Sequence, residues 1–91
     1  MTKAEVVNEI AKKTGSEKTV VLSTVEAFMD VVKESLSNHV PVYLRGFGSF
    51  IIKKRAEKTA RDIHKETTLI IPAHDIPAFK PAKTFVQEVK K

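Results

Sequence analysis

Apolar positions in the first forty residues recur at the three- and four-residue spacing of a helix, and beyond residue 41 the repeat shortens to the two-residue alternation of strands. Thr2-Lys3-Ala4-Glu5 is a capping box: the threonine hydroxyl can satisfy an early backbone N–H while Glu5 reaches back to the cap. Val6, Val7, Ile10 and Ala11 follow at helical spacing, and Gly15 can take the left-handed conformation that ends a helix. Ser16 or Glu17 opens a second helix. In it Val21, Val25, Phe28, Val32 and Leu36 form one apolar stripe, widened by Leu22 and Met29, until Asn38, His39 and Pro41 stop it. Methionine and phenylalanine at this spacing are packing positions rather than a cofactor site.

Residues 42–45 read as a strand, Gly46-Phe47-Gly48 as a tight connection, and 49–52 as the partner strand of a hairpin. After Ile52 the apolar signal vanishes, yet residues 53–61 contain no glycine or proline to break an extended strand, which is expected to continue into solvent. Residues 67–71 read as the returning strand, ended by Pro72, so that 62–66 hold the turn. Residues 73–81, with Pro77 and Pro81, form an extended segment, and 82–89 place Phe85 and Val89 four apart on a final short helix. The expected fold class is α+β, with residues 1–91 as one domain: a helical base over 1–40, a sheet and arm over 41–81, and a C-terminal helix over 82–91.

A chain of 91 residues leaves a thin core, and dimerisation is the simplest support. The absence of cysteine excludes disulfides, thiolate metal sites and cysteine nucleophiles. No apolar run reaches the roughly 20 residues that span a bilayer, and the expectation is a soluble intracellular protein. The net charge of +5 is unevenly placed. Residues 1–44 hold five lysines against six acids, a net of −1; residues 45–91 hold eleven basic residues against five acids, a net of +6. The densest part is Lys53, Lys54, Arg55, Lys58, Arg61 and Lys65, interrupted only by Glu57 and Asp62. Such a ribbon, about ten residues long at about 3.3 Å each, has the reach of one turn of a DNA duplex. A two-stranded ribbon without a core to pack on is marginal in water, so a partner is expected to order it, and its charge calls for a polyanion.

Catalytic chemistry finds no footing. His39, His64 and His74 fall in three different elements and lack the spacing of a helical zinc site. Gly46-Phe47-Gly48-Ser49-Phe50-Ile51 has isoleucine where a dinucleotide fingerprint needs a third glycine, and a strand follows where a helix should. No nucleophile elbow or phosphate-binding loop is present. The reading is no enzyme, no metal, no cofactor, no small-molecule substrate and no membrane.

Over essentially its full length the chain resembles the bacterial histone-like HU and integration host factor family. The resemblance is carried by the capped first helix with Lys3, by Leu44-Arg45-Gly46-Phe47-Gly48-Ser49-Phe50, by Arg55-Ala56-Glu57-Lys58-Thr59-Ala60-Arg61, and by Ile71-Pro72-Ala73 leading to Ile76-Pro77-Ala78-Phe79-Lys80-Pro81-Ala82-Lys83. It implies an intertwined dimer with a helical base and a β-sheet saddle. Two long β-ribbon arms would embrace double-stranded DNA through the minor groove and bend or compact it with low sequence specificity, in the cytoplasmic nucleoid. The partner chain would be a second copy or a sister chain. The energetic picture, in which unstacking a base step is offset by the extra surface that a bent duplex wraps, belongs to HU and integration host factor as a class and is not read from this chain.

The expected DNA-binding residues are Lys53, Arg55, Lys58 and Arg61 on the arm. Lys3, Lys80 and Lys83 would contact phosphates from the body, as the resemblance implies. Gly46 and Gly48 are turn residues whose amides could also approach a phosphate. Phe47, Phe50 and Phe79 are assigned to packing. At the arm tip, relatives commonly carry Arg-Asn-Pro-x-x-Gly, whereas this chain has Arg61-Asp62-Ile63-His64-Lys65-Glu66. Ile63 thus stands where the wedge proline would be, as an apolar wedge or as a residue packed against the arm. Two other readings remain open at the level of sequence: a ribbon that docks on an acidic protein surface, and a single-strand or RNA binder. The second conflicts with the lack of aromatic residues over 53–65.

Overall fold

The structure, a computed structural model, describes residues 1–62 and 67–90, with 60–62 and 67–69 as backbone only. Helix α1 covers Lys3–Thr14 and α2 Lys18–Ser37; the strands are β1 Val42–Leu44, β2 Gly48–Arg55, β3 Lys58–Asp62, β4 Thr67–Ile71 and β5 His74–Pro81; α3 is Lys83–Val89.

The first helix begins and ends as its sequence dictates. The Glu5 amide donates to the Thr2 hydroxyl at 3.3 Å, and that hydroxyl lies 3.4 Å from the Glu5 carboxylate, so the glutamate closes on the cap side chain. Gly15 has φ 74° and donates its N–H to the Ala11 carbonyl at 2.9 Å. Glu17 precedes α2 without a side-chain cap. At the far end of α2, the Asn38 side chain donates to the Glu34 carbonyl at 3.1 Å, satisfying a group that a helix C-terminus exposes, and the Ser35 hydroxyl donates to the Val40 carbonyl at 2.7 Å, holding the chain that follows against the helix. His39 turns the chain with φ 59°, and its Nε2 lies 3.2 Å from Asp75 Oδ2, tying the end of α2 to the root of β5.

Strands β1, β2 and β5 form an antiparallel sheet in that order. The segment expected to be merely extended is therefore an edge strand, in register with β2 from Gly48↔Pro81 to Arg55↔His74. An edge tolerates Pro77 and Pro81 because a missing N–H on the open side costs no ladder bond. β1 is one residue shorter than expected, since Arg45 lies in the turn, where the Phe47 amide donates to the Leu44 carbonyl at 3.0 Å.

The ribbon departs from the expectation of one unbroken strand. β2 ends at Arg55 and pairing resumes at Lys58↔Ile71. Two residues on each side, Ala56 and Glu57 facing Ala73 and Pro72, separate the two ladders, so the register crosses the gap without an inserted residue. The cause lies on the returning strand: Pro72 has no N–H to donate. β3 and β4 then pair alone from Lys58↔Ile71 to Asp62↔Thr67.

Among the described residues the buried apolar set is only Val7, Val21, Val32 and Leu36. These join α1 to α2 and begin the contact of α2 with the sheet. A second cluster is aromatic: the Phe79 ring lies 5.0 Å from Phe47, 5.0 Å from Phe50 and 6.4 Å from Phe85, and Phe47 stacks on Phe85 at 5.5 Å. The rest of the α2 stripe is half open, with Phe28 44% exposed and Leu22 and Met29 close behind. The chain exposes 7898 Å², against about 5,300 Å² for a compact monomer of its mass. Its radius of gyration, 18.6 Å, likewise exceeds the roughly 12 Å of a compact chain. This geometry is that of a protomer with apolar surface left to cover.

Gly46 and Gly48 are glycine for different reasons. Gly46 has φ 79° with nothing within 4 Å of a built Cβ, whereas a Cβ on Gly48 would meet the Lys80 carbonyl and the Phe79 ring, both at 2.6 Å. Gly46→Ala is expected to cost about 1 kcal/mol from backbone strain alone. Gly48→Ala is expected to cost about 3 kcal/mol, because backbone and ring must both shift. Urea unfolding at fixed protein concentration measures both; equal losses would mean that β5 does not approach Gly48 this closely.

Candidate nucleic-acid interface

Directly paired residues in an antiparallel sheet share a face, so the register sorts the basic residues. On one face Phe50 pairs with Val42 and Phe79, and with Ile52 it lines a groove against Val32 and Leu36 of α2. This is the helix-covered side. The opposite face carries Tyr43, Ser49 and Lys80 in one row across the sheet, followed by Ile51↔Ala78, Lys53↔Ile76 and Arg55↔His74. It has no helix over it. Lys53 and Arg55 stand two residues apart on this side, both exposed, and Lys54 pairs with Asp75 on the other.

Lys83 joins this face through backbone geometry. The Ala82 amide donates to the Phe47 carbonyl at 2.9 Å, and the Thr84 hydroxyl reaches the Gly46 carbonyl at 3.5 Å, fixing the start of α3 beside the β1–β2 turn. A groove there is lined by Arg45, Lys80 and Lys83 together with Tyr43, Ser49 and Ile51. Lys53, Arg55, Lys80 and Lys83 form no ion pair with a described residue. The site is a set of exposed cations over a strand floor, with Arg45, Lys80 and Lys83 beside the start of α3, Lys53 and Arg55 at the root of the arm, and the Ile51–Ala78 rung between the two groups. Its charges repel one another unless counterions or a polyanion lie against them.

The other expected residues are placed less uniformly. Lys58 is exposed on the arm and pairs with Ile71. Arg61 occupies its expected strand, with its backbone in register with Thr68. Asp62, expected in the turn, instead ends β3 in register with Thr67, so the strand runs one residue further; Ile63 and the rest of the expected turn lie outside the described residues. Gly46 is exposed in its turn, but Gly48 is buried against β5, so its place is explained by packing. Lys3 stands apart from the sheet: its Nζ pairs with Glu26 Oε1 at 3.1 Å, both half exposed, and binds α1 to α2. A phosphate there would have to compete with that carboxylate.

Tyr43 and Arg45 are members of this face that the sequence reading does not single out. Alternation was the available signal for Tyr43, the outward position between inward Val42 and Leu44. Arg45 sits in the turn, outside any periodicity. Among the described residues, no group of three histidine, cysteine or acidic side chains could hold a metal ion, and no helix is long and apolar enough to cross a membrane.

Comparison with known proteins agrees with this geometry. The model of the family described as bacterial DNA-binding protein matches residues 1–90. DNA-binding protein HU of Thermus thermophilus is 40% identical over 91 residues, covering 100% of this chain and 94% of the relative. DNA-binding protein HU of Geobacillus stearothermophilus is 36% identical over 90 residues, covering 99% and 100%. The fold superimposes on the protein of an Anabaena HU–DNA cocrystal structure with a TM-score of 0.93 and 31% identity, over 98% of this chain and 97% of that one. Helical base, three-stranded sheet and projecting ribbon are thus the HU fold, and the chain belongs to the bacterial DNA-binding protein family of HU and integration host factor, whose members are not enzymes.

Proposed function

We propose that the chain works as a homodimeric architectural protein of the bacterial nucleoid, gripping duplex DNA with two ribbon arms in the minor groove and bending or compacting it with little regard to sequence. The observation that carries this reading is the row of exposed cations on the helix-free face, Lys83 and Lys80 at one end and Lys53 and Arg55 at the root of the arm, with Lys58 exposed further out on the other side of the ribbon. Lysine and arginine displace counterions condensed on the duplex, a gain that depends on charge and hardly on base identity. Arginines in a narrow minor groove add a preference for deformable steps without reading base edges. At the tip, Ile63 takes the part of the wedge that unstacks a base step and so sets the bend.

The second copy covers the open stripe of α2 and the exposed edge of the phenylalanine cluster. Phe28, Leu22 and Met29 are too exposed in one chain to be its finished core. Anabaena HU, in a crystal with DNA, supports duplex DNA over a protein surface as the target.

Three outcomes follow from this reading. Replacing Arg55, Lys58 and Arg61 together with alanine removes up to six cations per dimer and should flatten the slope of log K against log salt by about 5, at about 0.9 per phosphate. Circular dichroism should show the same helix content, and an unchanged slope would remove the arm from the interface. Ile63→Ala should shrink the bend angle, read by energy transfer across a labelled duplex, more than it weakens binding; an unaltered angle makes Ile63 a bystander. Finally, the thermal midpoint of the free protein should rise with protein concentration, as folding coupled to dimerisation requires. A midpoint independent of concentration would mean that the chain folds alone.

A further inference from the structure

We infer that Ile70 is the apolar contact of the arm, seated on the sugar walls of the minor groove, and that it strengthens duplex binding without adding to its salt dependence. The inference rests on the DNA-binding reading above and assigns the role of a residue which that reading leaves unused. Ile70 pairs with Thr59 on the arm and is 67% exposed, one of the most exposed large apolar side chains among the described residues.

Its position gives the exposure meaning. Lys53 and Arg55 alternate along the helix-free face, and the register passes the gap at Ala56–Glu57 without an inserted residue. Period-two alternation therefore carries the same face from Lys53↔Ile76 and Arg55↔His74 to Thr59↔Ile70. Glu57 and Pro72 form the rung between them on that face, and Glu57 is the single acid there among the described residues. Among the described residues no layer packs over the β3–β4 ribbon that could bury an isoleucine, and beyond the Glu57–Pro72 rung the same face carries Arg55 and Lys53, cations suited to phosphates. The walls of a minor groove are stacked deoxyriboses, an apolar surface bordered by two rows of phosphates. A cationic strip with an exposed β-branched side chain further along it matches that pattern of charge and apolarity. The acidic surface of a protein would match the cations alone.

The competing explanation is that Ile70 is there for strand propensity, because β-branched residues favour a pleated ribbon. The two are separable by substitution. Ile70→Thr keeps the branch and the strand preference but replaces a methylene-bearing arm with a hydroxyl; Ile70→Val keeps the apolar surface. Affinity for a duplex is measured for wild type and both variants by fluorescence anisotropy over a series of salt concentrations. The Ile70→Thr dimer, with two arms changed, should bind about ten-fold more weakly at every salt concentration, giving a line parallel to wild type. Ile70→Val should stay within about two-fold. Wild-type affinity for Ile70→Thr overturns the inference, as does a changed slope, which would mean that ionic contacts had moved. Failure of the wild-type protein to bind duplex with any salt dependence would instead overturn the DNA-binding reading itself.

Discussion

The pairing of β2 with β5 is the interaction on which the remainder of this protein depends. One ladder, from Gly48↔Pro81 to Arg55↔His74, does two jobs at its two ends. At the Gly48 end it brings Phe79 against Phe47 and Phe50 and anchors α3 beside the turn. At the Arg55 end it runs out of the body and becomes the root of the arm. The absence of a side chain at Gly48 is what allows the strands to come together where the aromatic cluster forms.

That arrangement commits a large share of a short chain to a ribbon whose described residues contribute nothing to the core. Among the described residues, four buried apolar side chains and a half-open aromatic cluster are what one protomer assembles by itself. The deficit is met from outside in two places, with different physics. Apolar surface on α2 calls for another apolar surface, and the cations of the sheet and arm call for negative charge. Dimer formation and DNA binding are in this sense two parts of one structural deficit, the first hydrophobic and the second electrostatic.

The helical half of the chain was readily legible because its signals are local. The Thr2 cap, the Gly15 stop and the α2 stripe each lie within a few residues of what they determine, and the structure has them where the pattern puts them. The sheet was legible in part. Pro77 and Pro81 disguised β5 as irregular chain, since proline argues against a strand until the strand is known to be at an edge. The interruption at residues 56–57 was invisible for a similar reason: its cause, Pro72, acts from across the ladder. Two expected site residues make contacts distant in sequence. Lys3 meets Glu26 and Gly48 meets Lys80, pairings that no local pattern encodes. The charge asymmetry between the halves did survive into three dimensions, because a ribbon with no core keeps its polar residues in solvent whatever its detailed register.

The central claim is that the helix-free face and the arms close on a DNA duplex. Hydrogen–deuterium exchange of the full protein, with and without a duplex at low salt, tests this most directly. Amides of 53–59 and 70–76 should exchange more slowly when the duplex is added, and those of α2 should keep their rates. Unchanged exchange along both arm strands with duplex bound, or slowing confined to the helices, would contradict the account.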